Sequence, residues 1–199
     1  MLSRHNDAFY IRTLPHLQTA NRPIFLTWRI AFTLPKTVTD HLAQMKETAE
    51  KEIACLSDDY QKMQRYQHYI KRFNWFDNQL NNSSMPSLLA RKDVADIIAE
   101  VLMYYHGLRY NLIAYCIMPN HVHAVLQLNF DDKGGIFPLS KVTQNWKRYS
   151  ARQINLLINT DGTFWQPESY DHVIRNEQEY IHYIEYTLDN PVKARLVDK

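Results

Sequence analysis

Two apolar runs separated by a three-residue turn constrain this chain most. Residues 110–117 are apolar at most positions, Met118-Pro119-Asn120 has turn composition, and His121 to Leu128 resumes the apolar run. Pro and Asn favour turn dihedrals, so the pattern predicts two antiparallel strands joined by a tight connection. The first run hardly alternates, as expected for a strand covered on both faces. Upstream, Leu26, Trp28, Ile30 and Phe32 alternate with Thr27, Arg29, Ala31 and Thr33, the period of a strand with one face inward, and Leu34-Pro35 ends it.

Between these strands the period changes. From Val38 an apolar stripe passes through Leu42, Met45, Ala49, Ile53, Leu56 and Tyr60 to Met63 in steps of three or four, with Ile70 two turns further on, which predicts a long amphipathic helix, or two in line with a break at Ser57-Asp58-Asp59. Asn81-Asn82-Ser83-Ser84 with Pro86 reads as a loop. Val94, Ile97, Ile98, Val101, Leu102 and Tyr105 carry the most regular helical spacing, which His106-Gly107 terminates. A loop over residues 131–138 leads to a helix opened by Leu139, Val142, Trp146 and Tyr149. A short extended piece follows over residues 170–174. Asn176 and Glu179 then form a capping box for a last helix, expected to stop before Pro191. This order predicts an α+β fold with helices on one face of a mostly antiparallel sheet. The chain reads as a single domain over residues 1–199, in which residues 36–80 are a helical insertion after the first strand.

Charge and cysteine usage exclude several classes. Lys plus Arg number 23 and Asp plus Glu 21, so overall charge points to no polyanionic partner. Cys55 and Cys116 lack metal-knuckle or redox spacing and suit reduced thiols. Residues 1–10 are charged and polar where a signal peptide needs an apolar core, and no run approaches the roughly 20 apolar residues of a membrane span. A soluble cytoplasmic protein is expected.

Local chemistry is more informative. His121 and His123 alternate with apolar Val122 on a strand, so their imidazoles project side by side, half of a metal site. Two hydrogen-bonded sheet histidines would read the same way. Tyr186 and Asn190 are four apart on the last helix and share a face, with His182 on the same stripe. If that face lies over the histidine strand, a phenol and an amide join the imidazoles. A divalent ion there would polarise a phosphate while the tyrosine attacks phosphorus. A core-edge tyrosine and a helix-terminal asparagine are the plainer alternatives. Residues 133–160 hold Lys133, Lys141, Lys147, Arg148 and Arg152 and no acid. Lys141, Arg148 and Arg152 fall near one helix face, with Trp146 and Tyr149 interleaved, a composition suited to a phosphate backbone and stacked bases or to a solvated face over a buried tryptophan.

Three segments together resemble a known family. Ala114-Tyr115-Cys116-Ile117-Met118-Pro119-Asn120-His121-Val122-His123, then Trp146-Lys147-Arg148 leading to Phe164-Trp165-Gln166 and Tyr170-Asp171-His172, and then Asn190-Pro191-Val192-Lys193-Ala194 resemble the REP-associated tyrosine transposases, relatives of the single-tyrosine HUH transposases of bacterial insertion sequences. The resemblance implies a ferredoxin-like βαββαβ-type core with the tyrosine on a C-terminal helix. It implies that His121, His123 and Asn190 ligate Mg²⁺ or Mn²⁺, that Tyr186 is the nucleophile, and that Lys141, Lys147, Arg148 and Arg152 contact DNA. The implied activity is metal-dependent nicking and rejoining of single-stranded DNA at short REP-like palindromic hairpins through a 5′-phosphotyrosine, in DNA transposition or REP-element processing. It further implies a bacterial protein at the nucleoid, a monomer or homodimer with the site in one chain or shared by two.

One position departs from the pattern. Arg195 stands where the family often has Gly, a poor exchange if the backbone there takes positive φ. Tyr183 is a second candidate nucleophile, but it lies seven residues from Asn190. From another class, a hairpin-binding protein without turnover fits the same segments. A histidine-triad hydrolase would need a histidine where Val125 stands, and a zinc hydrolase lacks a nearby acid to complete a familiar motif.

Overall fold

A computed structural model describes residues 22–81 and 85–198, so the expectations for residues 1–10 and for Asn82-Ser83-Ser84 lie outside the described residues. Two compact units divide the chain. The smaller holds helices α1 (Lys36–Ala54) and α2 (Asp58–Leu80), which pack on each other. Val38, Leu42, Ala49 and Ile53 form the buried stripe of α1, and the break falls at Ser57, whose side chain makes no capping bond. His41 and Trp75 bring their rings to 4.3 Å across this pair.

The larger unit contains β1 (Ile24–Arg29), α3 (Lys92–Tyr104), β2 (Tyr110–Ile117), β3 (His121–Leu128), α4 (Leu139–Leu157), β4 (Tyr170–Val173) and α5 (Glu177–Lys193). Its first six elements run βαββαβ. The four strands form one sheet in the order β2-β3-β1-β4, with antiparallel neighbours throughout. The fold is α+β.

Helices cover both faces of this sheet, not one as the sequence suggested. Trp28 of β1 stacks on Trp146 of α4 at 5.6 Å. Tyr110 of β2 donates its hydroxyl hydrogen to the Leu102 carbonyl of α3 and accepts the Trp146 indole N–H, so α3 and α4 share that face. Alternate residues point the other way, where Phe25 of β1 stacks on Tyr183 of α5 at 4.5 Å. Cover on two sides buries every residue of β3 except half-buried Gln127, and all of β1 except half-buried Arg29. β2 is an edge strand, open at Asn111 and bulged between Leu112 and Ala114, and as expected both its faces meet helices, α3 on one and α5 on the other. The buried face of α3 (Val94, Ile98, Val101 and Leu102) contributes about 1.5–3 kcal/mol per large side chain.

The last helix also departs from expectation. It begins as read, with Asn176 Oδ1 accepting from the Glu179 N–H, and Glu179 Oε2 accepting from the Arg175 N–H. It does not stop before Pro191, which lies inside α5. The chain closes one turn later in a Schellman motif: Arg195 N–H donates to the Val192 carbonyl and Leu196 N–H to that of Pro191, with Arg195 at φ 57°. The extra turn makes Asn190 a buried helix-interior residue, not a fraying terminus.

Candidate metal and tyrosine site

Cross-strand register builds the site. His123 on β3 faces Thr27 on β1, and Arg29 faces His121. Paired residues lie on one face of the sheet, so the Thr27 hydroxyl reaches His123 Nδ1 at 2.7 Å. Asn120, in the turn, is held by the Ile30 N–H on its carbonyl, and its Oδ1 lies 2.7 Å from His121 Nδ1. Each imidazole is thus fixed through Nδ1 by an oxygen-bearing partner, and both Nε2 atoms face one point, 3.1 Å apart. Holding the far nitrogen is how proteins orient ligating histidines. Thr27 and Asn120 were not picked from the sequence. The alternation that turns His123 inward turns Thr27 to the same face, a signal that needs the strand register to be read.

Both histidines and Asn190 are buried. Burial pushes the His123 imidazole down to about 3, so it stays neutral and keeps a lone pair for a ligand. Asn190 brings its side-chain amide to 3.1 Å from His123 Nε2, with Nδ2 as the near atom. Turning the amide about its last torsion exchanges Nδ2 for Oδ1 at that place.

The donor set fits a divalent ion. Two nitrogens 3.1 Å apart, each about 2.1 Å from a common point, subtend an angle near 90–95°, the right angle of octahedral coordination. The two imidazoles and the amide bring no charge of their own to such an ion.

The structure brings Tyr186 to this cluster. Its half-buried ring meets the His123 ring edge-on at 5.6 Å and Phe25 at 5.7 Å. On its outer side lie exposed His182, ring centroids 6.1 Å away, and the Lys193 ammonium, 5.8 Å from the ring centre. Tyr183 is placed differently, buried between Phe25 and the His172 ring at 4.5 and 4.6 Å. His172 Nε2 lies 3.1 Å from Glu179 Oε2, and burial lowers its pKa while that carboxylate opposes the shift.

The basic residues of α4 fall elsewhere. Lys141, Arg148 and Arg152 are exposed on its outer face, while Trp146, Ser150 and Ile154 are buried against the sheet. Because α4 covers the face opposite α5, these three cations lie across the sheet from the imidazoles and not beside them. Lys147 turns inward. Its ammonium donates to the carbonyls of Gln166, Pro167 and Glu168 at 2.9, 3.0 and 3.2 Å and to Ser169 Oγ at 2.8 Å. Burial lowers its pKa to about 8, with Glu168 opposing. Its place is that of a cation pinning the loop before β4, where the resemblance implied a DNA contact. Trp146 is likewise a core residue, and Tyr149 is the exposed aromatic of the pair.

Cys55 is exposed and Cys116 buried, and neither forms a disulfide. No helix among the described residues is long and apolar enough to cross a membrane.

Comparison with known proteins bears on this arrangement. No family model matches the chain. It is 24% identical over 126 residues to the REP-associated tyrosine transposase of Escherichia coli K12, covering 63% of this chain and 70% of that protein. A Haemophilus influenzae protein named for the same family is 26% identical over 94 residues, covering 45% of this chain and 53% of the relative, so the chain spans about half of that relative's length. Among solved structures, a REP-associated tyrosine transposase bound to a REP hairpin matches with a TM-score of 0.51 at 16% identity, covering 95% of this chain and 78% of that one. That likeness bears on the fold alone. Sequence relatives and fold neighbour point the same way, and the chain is similar to the REP-associated tyrosine transposases.

Proposed function

We propose that this protein is a DNA strand-transfer enzyme that cleaves single-stranded DNA beside short palindromic hairpins and keeps the cut end as a 5′-phosphotyrosine on Tyr186. The observation that carries the reading is the convergence of His121 Nε2, His123 Nε2 and the Asn190 amide next to a half-exposed tyrosine. A divalent ion held by these three groups would polarise the scissile phosphate and offset its charge. Nitrogen donors suit Mn²⁺ better than Mg²⁺, which prefers an all-oxygen shell.

The chain's own groups supply the rest. Thr27 and Asn120 hold the imidazoles in one orientation. The half-buried Tyr186 ring lies 5.8 Å from the Lys193 ammonium, which would add positive charge beside the phosphate. The Tyr186 phenolic oxygen bonds to phosphorus as the P–O3′ bond breaks, and the phenol proton ends on the released 3′-oxygen. In the return step the 3′-hydroxyl attacks the phosphotyrosine, the strand is restored, and no external energy source is consumed.

Covalent capture tests this. A 5′-to-3′ panel of labelled hairpins with single-stranded flanks, incubated with Mn²⁺, is expected to leave a denaturation-resistant adduct on the wild type and none on Tyr186→Phe. Hairpin binding by the wild type with no adduct across the panel would support a binding protein without turnover.

A further inference from the structure

We propose that exposed rings at the far end of the sheet from the imidazoles, chiefly Tyr104 and Phe130, form a stacking platform for unpaired bases of the bound hairpin, at its loop. This rests on the hairpin reading above. Tyr104 at the end of α3 is 73% exposed and Phe130 just after β3 is 58% exposed. At the same end of the sheet, the Arg109 guanidinium lies 3.6 Å over the Tyr105 ring and 5.7 Å from that of Phe137, while Tyr104 packs edge-on to Tyr105 at 4.6 Å. A guanidinium stacked on an aromatic ring keeps its charge while lying flat, so the patch offers both π-faces and a cation, the combination that holds single-stranded nucleic acid. The loop carrying Phe130 is fixed: Asp131 Oδ1 accepts from the Lys133 and Gly135 N–H groups, and Phe137 N–H donates to the Asn129 carbonyl.

The direction of α4 chooses the occupant. Phe137 leads directly into α4, whose N-terminus therefore starts at this patch. Its C-terminal half lies at the other end of the sheet, because Lys147 holds the Gln166 carbonyl, Gln166 N–H donates to the Arg29 carbonyl, and Arg29 pairs with His121. The exposed cations Lys141, Arg148 and Arg152 connect the two ends. Eleven residues of helix rise about 16 Å, matching about five base pairs of stem at 3.4 Å each. A stem laid along these charges puts its unpaired loop on Tyr104 and Phe130 and its foot at the end of the sheet that carries His121.

The test is fluorescence-anisotropy titration of wild type and Tyr104→Ala/Phe130→Ala with two probes, a hairpin with an unpaired loop and a blunt duplex of the same stem. Both side chains are exposed, so the fold is expected to survive, and Tyr104→Phe, which keeps the ring, should bind as wild type does. The double variant is expected to bind the looped probe roughly tenfold or more weakly and the blunt stem unchanged. Equal loss on both probes, or wild-type affinity for the looped probe, would overturn the platform while leaving the hairpin reading in place. Unchanged hairpin binding with loss of self-association would give the rings to a second copy instead. A wild type that binds neither probe removes the hairpin reading itself, and the platform with it.

Discussion

Replacing Arg195 by Gly is expected to stabilise the protein. Arg195 sits at φ 57°, in the left-handed region, where the Schellman motif after α5 places it. An L-residue with a Cβ loses about 1–2 kcal/mol there, from the clash between Cβ and the following carbonyl oxygen. Glycine removes that clash but gives the unfolded chain more freedom, which returns about 0.4–1 kcal/mol. The net gain is about 0.5–1 kcal/mol, or about 1–4 °C in Tm for a chain of this size. Urea and thermal denaturation of wild type, Arg195→Gly and Arg195→Ala measure it. The alanine variant keeps the Cβ and should match wild type within about 0.5 kcal/mol. A glycine variant no more stable than the alanine one would refute the assignment of a strained terminus to the helix that carries Tyr186 and Asn190.

Acid should destabilise the metal-free protein in a way that depends on His123. Its folded pKa is about 3 and its ordinary value 6.5, so below pH 6.5 the unfolded chain binds the extra proton, and stability falls by about 1.4 kcal/mol per pH unit toward 3. His172, also lowered by burial, acts in the same sense below pH 6.5. Urea unfolding at pH 6.5 and 5 should show the wild type losing more than His123→Asn, and parallel losses would contradict the buried neutral imidazole. Thr27→Val leaves His123 Nδ1 without its hydroxyl partner and should weaken Mn²⁺ binding roughly 10–100-fold by calorimetry; an unchanged affinity would show that this bond does not orient the ring. Replacing Lys141, Arg148 and Arg152 by Ala should flatten the salt dependence of DNA binding by nearly one unit of slope per residue. Lys147→Met should leave that slope in place and lower stability by about 1–3 kcal/mol, through the carbonyls and Ser169 hydroxyl it strands. The reverse pattern would place DNA on Lys147.

Local periodicity exposed most of the fold. The Pro-Asn turn between β2 and β3, the regular spacing of Val94 to Leu102 and the Asn176 capping box each depend on interactions within a few residues, and each lies where the sequence puts it. Which element covers which face is a matter of distant packing. Alternation in β1 marked one inward face, yet Phe25, Thr27 and Trp28 are all buried because α5 covers the side that α4 does not. Pro191 reads as a helix stop, but a proline only removes one N–H and crowds the preceding turn, and packing of Tyr183, Thr187 and Asn190 carries α5 past it. Lys147 had a usable signal. It follows Trp146 and precedes buried Ser150 by three, at the edge of the apolar stripe, where a long aliphatic stem can lie inward. The imidazole pair was legible from strand alternation, whereas Thr27 and Asn120 become visible only through the register of β1 on β3 and the turn that holds Asn120.

The most direct measurement maps the covalent product. After reaction of a labelled hairpin with Mn²⁺, protease digestion and mass spectrometry are expected to find the nucleotide on the peptide containing Tyr186, and to find none when the ion is chelated or when either His121 or His123 is replaced by Ala. An adduct on Tyr183, or one formed equally well without a divalent ion, would contradict a site built from two imidazoles, an amide and that tyrosine.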